Sequence, residues 1–260
     1  MPENSSIDEK TQIPTNLRLL LIVEEVAKAG APVTLTALSA ATGLPKPTIH
    51  RLVATAEQEG FLQRDVDGRS FGPGARMRRI SGNILSSQRI RTERLIVMKA
   101  LAEAVGETCN LASPLRHGMV YLDRVETHWP LRIQLPIGTQ VPFHCTASGK
   151  MYLSSLRPDR LSRILSWLQL EKKTERTITN EAALREELSL IRQRGYSTDD
   201  QEFMQDMVAV ATPIKDSEGR LLASLAIHAP LQRHSLASIE QELPQVQKAA
   251  RRIEEVCLED

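Results

Sequence analysis

The sequence predicts an α+β chain in which a winged helix-turn-helix is followed by a larger mixed α/β domain. Two short helical patterns meet at residues 43–46, Gly-Leu-Pro-Lys, which is typical of the turn in a helix-turn-helix. A hairpin pattern around an Asp67-Gly68 turn follows them, as a wing would. Strand and helix patterns then intermingle to the end of the 260 residues, a length that suits two modest domains.

The N-terminal region begins with a polar segment, residues 1–13, that we expect to be disordered and that lacks the apolar stretch of a signal peptide. Apolar positions at helical spacing then predict a first helix over residues 16–29, which Gly30 ends. The apolar run at residues 19–23 is far too short to span a membrane. A winged helix-turn-helix domain is therefore predicted over residues 14–75.

The second and third predicted helices form the helix-turn-helix. Thr34 is a suitable N-cap for the second helix, which ends at Thr42 before a left-handed Gly43. Pro47 suits the first turn of the third helix, where its missing N–H costs nothing, and Gly60 ends that helix. The predicted buried faces are Leu35, Leu38 and Ala41 in the second helix and Ile49, Leu52, Val53 and Ala56 in the third.

A strongly basic segment follows the hairpin. It contains six arginines against one glutamate between residues 76 and 94, a local charge of +5 in a chain whose net charge is only +1. Residues 76–90 are predicted to be a basic linker that is at least partly helical, and residues 91–105 a helix that Gly106 ends. The whole chain offers no global electrostatic case for a nucleic-acid partner, whereas this segment offers a local one.

The C-terminal domain, residues 91–260, is predicted from alternating strand and helix patterns. Strands are expected at residues 108–112, 119–125, 132–135, 208–214 and 221–228. Helices are expected at residues 147–154, 158–168, 180–195 and from 236 to the end of the chain. Because aromatic residues make up only 3% of the sequence, the core must be built from Leu, Ile, Val and Ala.

Cysteine usage argues against two kinds of site. Cys109, Cys145 and Cys257 are odd in number and far apart, so neither a disulfide framework nor a zinc ribbon is indicated. A reducing, cytoplasmic location fits this usage best. We predict no metal and no other cofactor.

The polar face of the third helix carries the donors that a DNA reader needs. Lys46, Thr48 and Arg51 can bind phosphates and base edges, and arginine bound to guanine is the commonest specific contact in the major groove. The helix N-terminus can also hold a phosphate. The predicted DNA-binding set is Thr34, Lys46, Pro47, Thr48, His50 and Arg51 from the helices and Arg64 and Arg69 from the hairpin. The competing interpretation is a small helical bundle with a solvated polar face, which acidic residues at 57, 59, 65 and 67 favour.

Polar residues in the C-terminal domain admit more than one interpretation. His144 and Cys145 could belong to a thiol enzyme or a zinc site, but no positioned base or further ligands are evident, so burial of both is favoured. Asp123 and Arg124 could face a ligand, although a structural salt bridge or a dimer contact is the favoured interpretation. Arg132 could neutralise an acidic ligand or simply be solvated.

An ordered set of motifs runs along the chain. The first is the helix-turn-helix stretch, residues 38–52, with Thr-Gly-Leu-Pro-Lys followed by Thr-Ile-His-Arg-Leu. The others are Tyr-Leu-Asp-Arg-Val-Glu at 121–126, Pro-Phe-His-Cys-Thr-Ala-Ser-Gly-Lys at 142–150, Thr-Ile-Thr at 177–179, Arg-Gly-Tyr at 194–196 and Ala-Thr-Pro-Ile at 211–214. Together they resemble the IclR family of bacterial transcriptional regulators over residues 16–255. Pro47 departs from that family, whose members often have a serine there, so one DNA contact is expected to be missing.

The resemblance implies an N-terminal winged helix-turn-helix, a linker helix and a C-terminal effector-binding domain related to GAF domains. It implies a regulator rather than an enzyme, with double-stranded operator DNA and a small organic acid or aromatic catabolite as partners. Members are typically homodimers or homotetramers that control catabolic operons, and repression is expected rather than activation. The competing classes are an enzyme built on the GAF-like domain and a protein-interaction adaptor, which salt-dependent binding to promoter DNA would distinguish from a repressor.

The resemblance also implies an effector pocket in the C-terminal domain. The positions carried over are Ile133, Val141, Ala147, Ser148, Gly149, Asp199, Met207, Ala209, Ala226 and His228. Residues 147–149 open a predicted helix, so their backbone N–H groups could hold a carboxylate. Ala209 and Ala226 are polar in members that bind small keto acids, and His228 replaces a serine. We therefore expect a more apolar or aromatic acid, with His228 as its polar contact.

Overall fold

The chain divides into two compact units, Met1–Ile84 and Leu85–Asp260. The computed structural model describes residues 14–85, 88–132 and 134–258. The segment predicted to be disordered, residues 1–13, lies outside the described residues. None of the described helices is long and apolar enough to cross a membrane.

The N-terminal unit packs helices on a small sheet. Its elements are a 3-10 helix Thr15–Leu17, α1 Arg18–Ala29, β1 Val33–Thr34, α2 Leu35–Thr42, α3 Lys46–Gln58, β2 Leu62–Arg64, β3 Ser70–Pro73 and α4 Ala75–Leu85. The core between them contains Ile22, Val26, Leu38, Ile49, Val53, Ala56, Leu62 and Phe71. The helix-turn-helix followed by a hairpin confirms the predicted winged module.

Local sequence signals set the limits of α2. Thr34 caps the helix, because its Oγ1 accepts a hydrogen bond from the N–H of Ala37 at 3.3 Å. Gly43 follows the helix with φ of 69°, a left-handed conformation that favours a residue without Cβ. Ala41 was expected to be buried but is exposed, because this eight-residue helix packs on the core through Leu38.

The wing is an antiparallel sheet in the order β1-β3-β2. β2 and β3 form the predicted hairpin, and the carboxylate of Asp67 accepts hydrogen bonds from the N–H groups of Arg69 at 2.8 Å and Ser70 at 2.9 Å. β1 pairs with β3 and so joins the start of α2 to the wing. The sequence does not predict β1, because two residues are too few to show an alternating pattern.

The C-terminal unit packs helices on both faces of an antiparallel sheet. Its helices are α5 Gln88–Val105, α6 Ala147–Ser155, α7 Pro158–Leu165, α8 Glu181–Arg194, α9 Leu236–Glu240 and α10 Leu243–Leu258. Its strands are β4 Thr108–Pro114, β5 Met119–Val125, β6 Gln140–Val141, β7 Ser197–Asp200, β8 Met207–Lys215 and β9 Leu221–Pro230. They lie in the order β6-β5-β4-β9-β8-β7.

The two faces of this sheet differ in composition. The outer face packs apolar side chains such as Leu111 and Ile227 against α5 and α10. The inner face, which includes Asn110, Ala226 and His228, is covered by α6. Because successive strand residues point to opposite faces, apolar outer positions alternate with small and polar inner ones.

Several predicted elements of the C-terminal unit need correction. The strand expected at residues 132–135 is wrong for the described residues, which pair with no strand of the sheet. The side chain of Arg132 instead donates from Nε to Glu126 at 2.7 Å. The final helix is interrupted at residues 241–242, between α9 and α10. β6 and β7 are additional strands. β6 has only two residues, and β7, Ser-Thr-Asp-Asp, lacks the apolar alternation that would predict a strand.

Candidate functional sites

The buried side of α3 fixes its orientation in the N-terminal unit. Ile49 and Val53 are fully buried in the core, as the spacing of apolar residues predicts. The predicted DNA-binding residues lie on the remaining sides, at the start of the helix. Thr48 is half-buried there, whereas Lys46, Pro47, His50 and Arg51 are exposed.

Three cations of the predicted DNA-binding set have exposed side chains that are not engaged by other described residues. Among the described residues, the side chains of Lys46, Arg51 and Arg69 form no hydrogen bond or ion pair. All three residues are exposed. Their donors and charge are therefore available to DNA phosphates and bases.

Arg64 is placed differently from these cations. Its Nε and Nη2 donate to both carboxylate oxygens of Glu57, at 3.0 and 2.7 Å, and its Nη1 donates to the carbonyl of Gly68 at 3.1 Å. The guanidinium also lies 4.6 Å from the centre of the Phe71 ring. Arg64 thus ties the wing to α3. Its side chain is still 48% exposed, so the predicted contact of Arg64 with DNA stays a prediction.

A groove of about 440 Å³ lies between the start of α2 and the hairpin. It is lined by Thr34, Leu35, Thr36, Arg64, Gly68, Arg69 and Phe71. The structure therefore brings three predicted DNA-binding residues, Thr34, Arg64 and Arg69, to one surface of the N-terminal unit. The hydroxyl of Thr34 already accepts the capping bond in α2.

The basic segment is less open than its charge suggests. Arg76 pairs with Glu59 at 3.2 Å, and Arg78 donates to Gln63 at 3.3 Å. Further along the chain, Arg91 and Arg94 pair with a single buried carboxylate, that of Asp123. The carboxylates of Glu59 and Asp123 therefore offset only part of the local charge of +5, and the segment remains basic.

In the C-terminal unit, small side chains form a distinct patch on the inner face of the sheet. Ala209, Ala211 and Ala226 cluster there with Ala147 at the start of α6. Met207 is buried at the start of β8, and Val141 is buried with Tyr121 in the neighbouring apolar cluster. Ile133, the remaining apolar wall position carried over, lies outside the described residues.

The start of α6 faces this alanine patch, and it has unused donors. Thr146 caps the helix, because its Oγ1 accepts a hydrogen bond from the Gly149 N–H at 3.0 Å. Contrary to the prediction, the Gly149 N–H is therefore not available to a ligand. The Ser148 hydroxyl is buried and has no hydrogen-bond partner among the described residues. The N–H groups of Ala147 and Ser148 likewise donate to no described atom. A buried hydroxyl without a partner is rare and costly, so the Ser148 hydroxyl is a candidate contact for a ligand atom.

Gly149 is required by packing. A Cβ added there would lie 2.4 Å from the Phe143 carbonyl oxygen and 2.6 Å from that of Pro142, closer than real Cβ contacts. Only glycine lets α6 approach this preceding backbone. The structure therefore gives Gly149 a steric role in placing the helix start.

A chain of hydrogen bonds crosses the inner face. Arg124 Nη1 donates to Asn110 Oδ1 at 3.0 Å, and Asn110 Nδ2 lies 2.9 Å from His228 Nδ1. Because arginine can only donate, Asn110 must turn its oxygen to Arg124 and its NH₂ to the histidine. His228 Nδ1 therefore accepts. The neutral imidazole carries its proton on Nε2, which has no partner among the described residues.

Burial keeps His228 neutral. Desolvation, with a smaller contribution from the nearby Arg124 charge, lowers the pKa of His228 to about 3. At neutral pH this side chain is a hydrogen-bond donor without charge, and positive charge on the inner face comes from Arg124. The predicted polar contact at His228 thus belongs to a three-residue network.

Asp199 anchors the loop that follows β7. It lies opposite Ala209 in the β7–β8 ladder, and its Oδ1 accepts the N–H of Glu202 at 2.7 Å. Burial, reinforced by the nearby Glu202 carboxylate, raises the pKa of Asp199 to about 8. Lys150, also buried, pairs with Glu202 and closes the same cluster. A buried lysine with an acidic partner in this cluster is not evident from the sequence.

Asp199 should make stability depend on pH. Between about pH 4 and pH 8 the folded protein keeps the Asp199 proton, whereas the unfolded chain, with a pKa of about 4, has lost it. Stability contributed by this proton therefore falls as the pH rises through that window. In the Asp199→Asn variant, the free energy of unfolding should fall less steeply with pH, by up to about 1.4 kcal/mol per pH unit. Urea unfolding at pH 6.5 and 8 measures this slope. Asp200→Asn, a half-buried neighbour, is the control, and equal slopes in all three proteins would contradict the assignment.

The sequence does not predict the inner-face positions of Asn110 and Tyr121, and it leaves two interpretations open for Arg124. Asn110 is a polar residue within a buried strand pattern, which is a usable signal for a functional or paired position. Arg124 forms the favoured type of contact, a salt bridge with Glu126 at 3.0 Å, and its Nη1 also reaches Asn110 on the inner face. Tyr121 lies edge-on to His228, with ring centres 6.3 Å apart.

The geometry of His144 and Cys145 agrees with burial rather than catalysis. Desolvation raises the pKa of Cys145 to about 12, so the thiolate needed by a nucleophile is not formed at neutral pH. His144 Nε2 lies 3.0 Å from the carbonyl oxygen of Glu171. Within the described part of the chain, no group of three His, Cys, Asp or Glu side chains could hold a metal.

Models of two domain families match the chain. The family described as "Bacterial transcriptional regulator IclR C-terminal" matches residues 82–255. The family described as "IclR helix-turn-helix domain" matches residues 17–66.

Relatives and solved structures agree with these matches. The chain is 36% identical over 234 residues to the "Probable transcriptional regulator SauR" of Cupriavidus necator, covering 90% of this chain and 93% of the relative. It is 30% identical over 224 residues to the "Transcriptional repressor IclR" of Escherichia coli, covering 85% and 82%. The crystal structure of Thermotoga maritima IclR has a TM-score of 0.62 at 25% identity, covering 92% of this chain and 97% of that one.

A further similar structure holds a ligand. It is an IclR homologue of Microbacterium hydrocarbonoxydans complexed with 4-hydroxybenzoate, with a TM-score of 0.59 at 26% identity, covering 92% of this chain and 98% of that one. The matched families together span both units of the chain. This chain therefore belongs to the IclR family of DNA-binding transcriptional regulators.

Proposed function

We propose that this regulator is a repressor whose operator affinity changes when an aromatic carboxylic acid binds the inner face of the C-terminal sheet. Two relatives support repression: the Escherichia coli protein is named a repressor, and a Salmonella typhimurium relative at 31% identity is the "Acetate operon repressor". The operon under control would then be one for catabolism of that acid.

The DNA-binding surface would consist of the start of α3 and the wing. Arg51 is exposed and unpaired among the described residues, which suits a base reader, and Lys46 and Arg69 suit phosphates. A homodimer, alone or within a homotetramer, would place two copies of α3 in successive major grooves. Binding to the intergenic DNA beside its own gene, weakening with salt, would distinguish this repressor from a protein-interaction adaptor.

The observation that carries the effector site is the unpartnered Ser148 hydroxyl beside the alanine patch. The N–H groups of Ala147 and Ser148 and the helix dipole favour a carboxylate at this helix start. Ala209 and Ala226 give this face small apolar side chains that suit an apolar ligand body, and His228 Nε2 offers a neutral donor. This combination suits a ring that carries a carboxylate and a second polar group, as the ligand of the Microbacterium hydrocarbonoxydans homologue does.

Ser148→Ala should separate ligand binding from folding. The free protein should keep or slightly gain stability, because the hydroxyl satisfies no hydrogen bond among the described residues. Affinity for the acid should fall about 10-fold or more, since hydrogen bonds to charged groups are worth roughly 1.5–3 kcal/mol. Calorimetric titration with 4-hydroxybenzoate, benzoate, pyruvate and glyoxylate measures both the ligand class and the loss.

Ser154→Ala in the same helix is the matched control. Ser154 is also buried, but its Oγ donates to the Met151 carbonyl at 2.8 Å, so its loss should cost about 1 kcal/mol of stability and leave acid affinity unchanged. Tight binding of pyruvate or glyoxylate with no binding of aromatic acids would overturn the proposed ligand class. Acid binding by Ser148→Ala at wild-type strength would overturn the site.

A further inference from the structure

Strand β5 presents two consecutive charged residues to opposite faces of the sheet. Asp123 points to the outer face and contacts α5, whereas Arg124 points to the inner face and contacts Asn110. One short stretch of backbone therefore joins the candidate effector site to the first helix of the C-terminal unit.

On the outer side, Asp123 holds the first turns of α5. Its carboxylate is fully buried and receives Arg91 Nε at 2.8 Å and Arg94 Nε at 3.2 Å, with a second donor from Arg94 Nη2. Arg94 is itself 1% exposed. Because an ion pair at this depth is strongly coupled to its surroundings, movement of Asp123 must move or release these arginines.

On the inner side, Arg124 has polar contacts that connect it to the candidate effector site. Its Nη1 binds the amide oxygen of Asn110, and its Nε binds Glu126, a carboxylate whose side chain is 39% exposed. An acceptor on the ligand that binds His228 Nε2 would act on Arg124 through Asn110, whose side chain is bonded to both residues. Acid binding would therefore redistribute the contacts of Arg124.

The ladder beside these residues is irregular. The register between β4 and β5 shifts between Leu111 and Ala112, where their partners change from Asp123 to Tyr121. An extra residue in one strand leaves part of the ladder unpaired and lets the strand bend locally. The residue without a partner in this ladder is Leu122, next to Asp123 and Arg124, so the irregularity of β5 adjoins its two charged side chains.

We propose that β5 couples the inner face to α5: a change at Arg124 alters how firmly Asp123 holds Arg91 and Arg94. This proposal rests on the effector site proposed above and adds how ligand binding there would affect α5. In chain order α5 follows α4 after two residues, and α4 follows the wing. Loosening or tightening the start of α5 would therefore change the order of the segment that leads to the DNA-binding unit.

Hydrogen exchange on the free, full-length protein tests this coupling without a ligand. Arg124→Met perturbs the inner face, and we expect amides in the first turns of α5, residues 88–98, to exchange about 5-fold faster or more, a typical coupling magnitude. Amides of α8 should be unaffected. Arg185→Met, which removes an exposed arginine paired with Glu181, is the control for loss of charge and should leave α5 unchanged.

Arg91→Met distinguishes coupling from a purely structural role. This substitution removes the outer arginine while Arg94 continues to pair with Asp123, so the protein should fold. Exchange in α5 should rise, and adding Arg124→Met should then have a smaller effect than in the wild type. Independent, multiplying effects of the two substitutions would overturn the proposal, as would faster exchange in β4 and β9 with none in α5.

The outcome is independent of the acid. If the effects of Arg124→Met and Arg91→Met on exchange in α5 are not independent but calorimetry detects no binding of an acid, the proposed effector is wrong and the coupling stands. If an acid binds at Ser148 but the two substitutions act independently, the effector site stands and the coupling through β5 is wrong.

Discussion

Replacing Asp123 with alanine should lower the free energy of unfolding by about 3–5 kcal/mol, the usual cost of removing one partner from a buried ion pair. The loss arises because Arg94, 1% exposed, would keep its charge in the protein interior without the carboxylate that Asp123 supplies. Urea unfolding of the full-length protein, followed by circular dichroism, measures the change.

Glu126→Ala is the matched control for Asp123→Ala. Glu126 follows the same strand and also pairs with two arginines, Arg124 and Arg132, but its side chain is 39% exposed. Its removal should cost less, about 1.5–3 kcal/mol, because solvent reaches the Glu126 carboxylate and the buried Arg124 keeps its bond to Asn110. Equal losses of stability for the two variants would show that burial of Asp123 does not increase the cost of breaking its ion pairs.

Arg51→Met should weaken operator binding about 5- to 150-fold and relax the preference for the operator sequence. This corresponds to the roughly 1–3 kcal/mol that a good arginine–base contact contributes. The side chain is exposed near the start of α3 and has no partner within the described residues, so its removal should leave folding intact. Fluorescence anisotropy with operator and scrambled DNA measures both affinity and preference.

Two other cations give controls with different signatures. Lys46→Met should weaken binding to both DNAs alike and reduce the log–log salt slope by about one, as loss of a phosphate contact does. Arg64→Met should loosen the wing, because Arg64 ties Glu57 to the hairpin, without changing sequence preference. If Arg51→Met retains both affinity and preference, Arg51 is not a base reader.

Prediction from sequence succeeds best where structure is set locally. The caps at Thr34 and Gly43 and the turn at Asp67 each depend on residues within a few positions of one another. Their signals are therefore present in short windows of sequence. β7 is recognised only through pairing with β8, and its Ser-Thr-Asp-Asp sequence carries no strand period. Such an element depends on tertiary contacts that no local pattern records.

The candidate site shows the same division. The turn at Ser148 opens a recognisable helix, and its position follows from the family motif. The network of Asn110, Arg124 and His228 joins residues up to 118 positions apart, so their pairing follows from strand order and register. Arg94 illustrates the opposite error: it lies in a basic run that suggests a solvated surface, yet it is buried against Asp123. Charge counting along the chain cannot distinguish a cation facing solvent from one with a distant partner.

The contact at Gly149 bears on how this sensor can diversify. Backbone rather than side chains meets the space above Gly149, so no compensating side-chain exchange nearby would admit a larger residue there. The start of α6, which would face the proposed ligand, is thus sterically fixed. Adaptation to a new acid should instead proceed on the opposing sheet, through replacement of the small side chains of Ala209, Ala211 and Ala226. Libraries built on those three positions should yield regulators with altered ligands, whereas variation at Gly149 should yield unfolded protein.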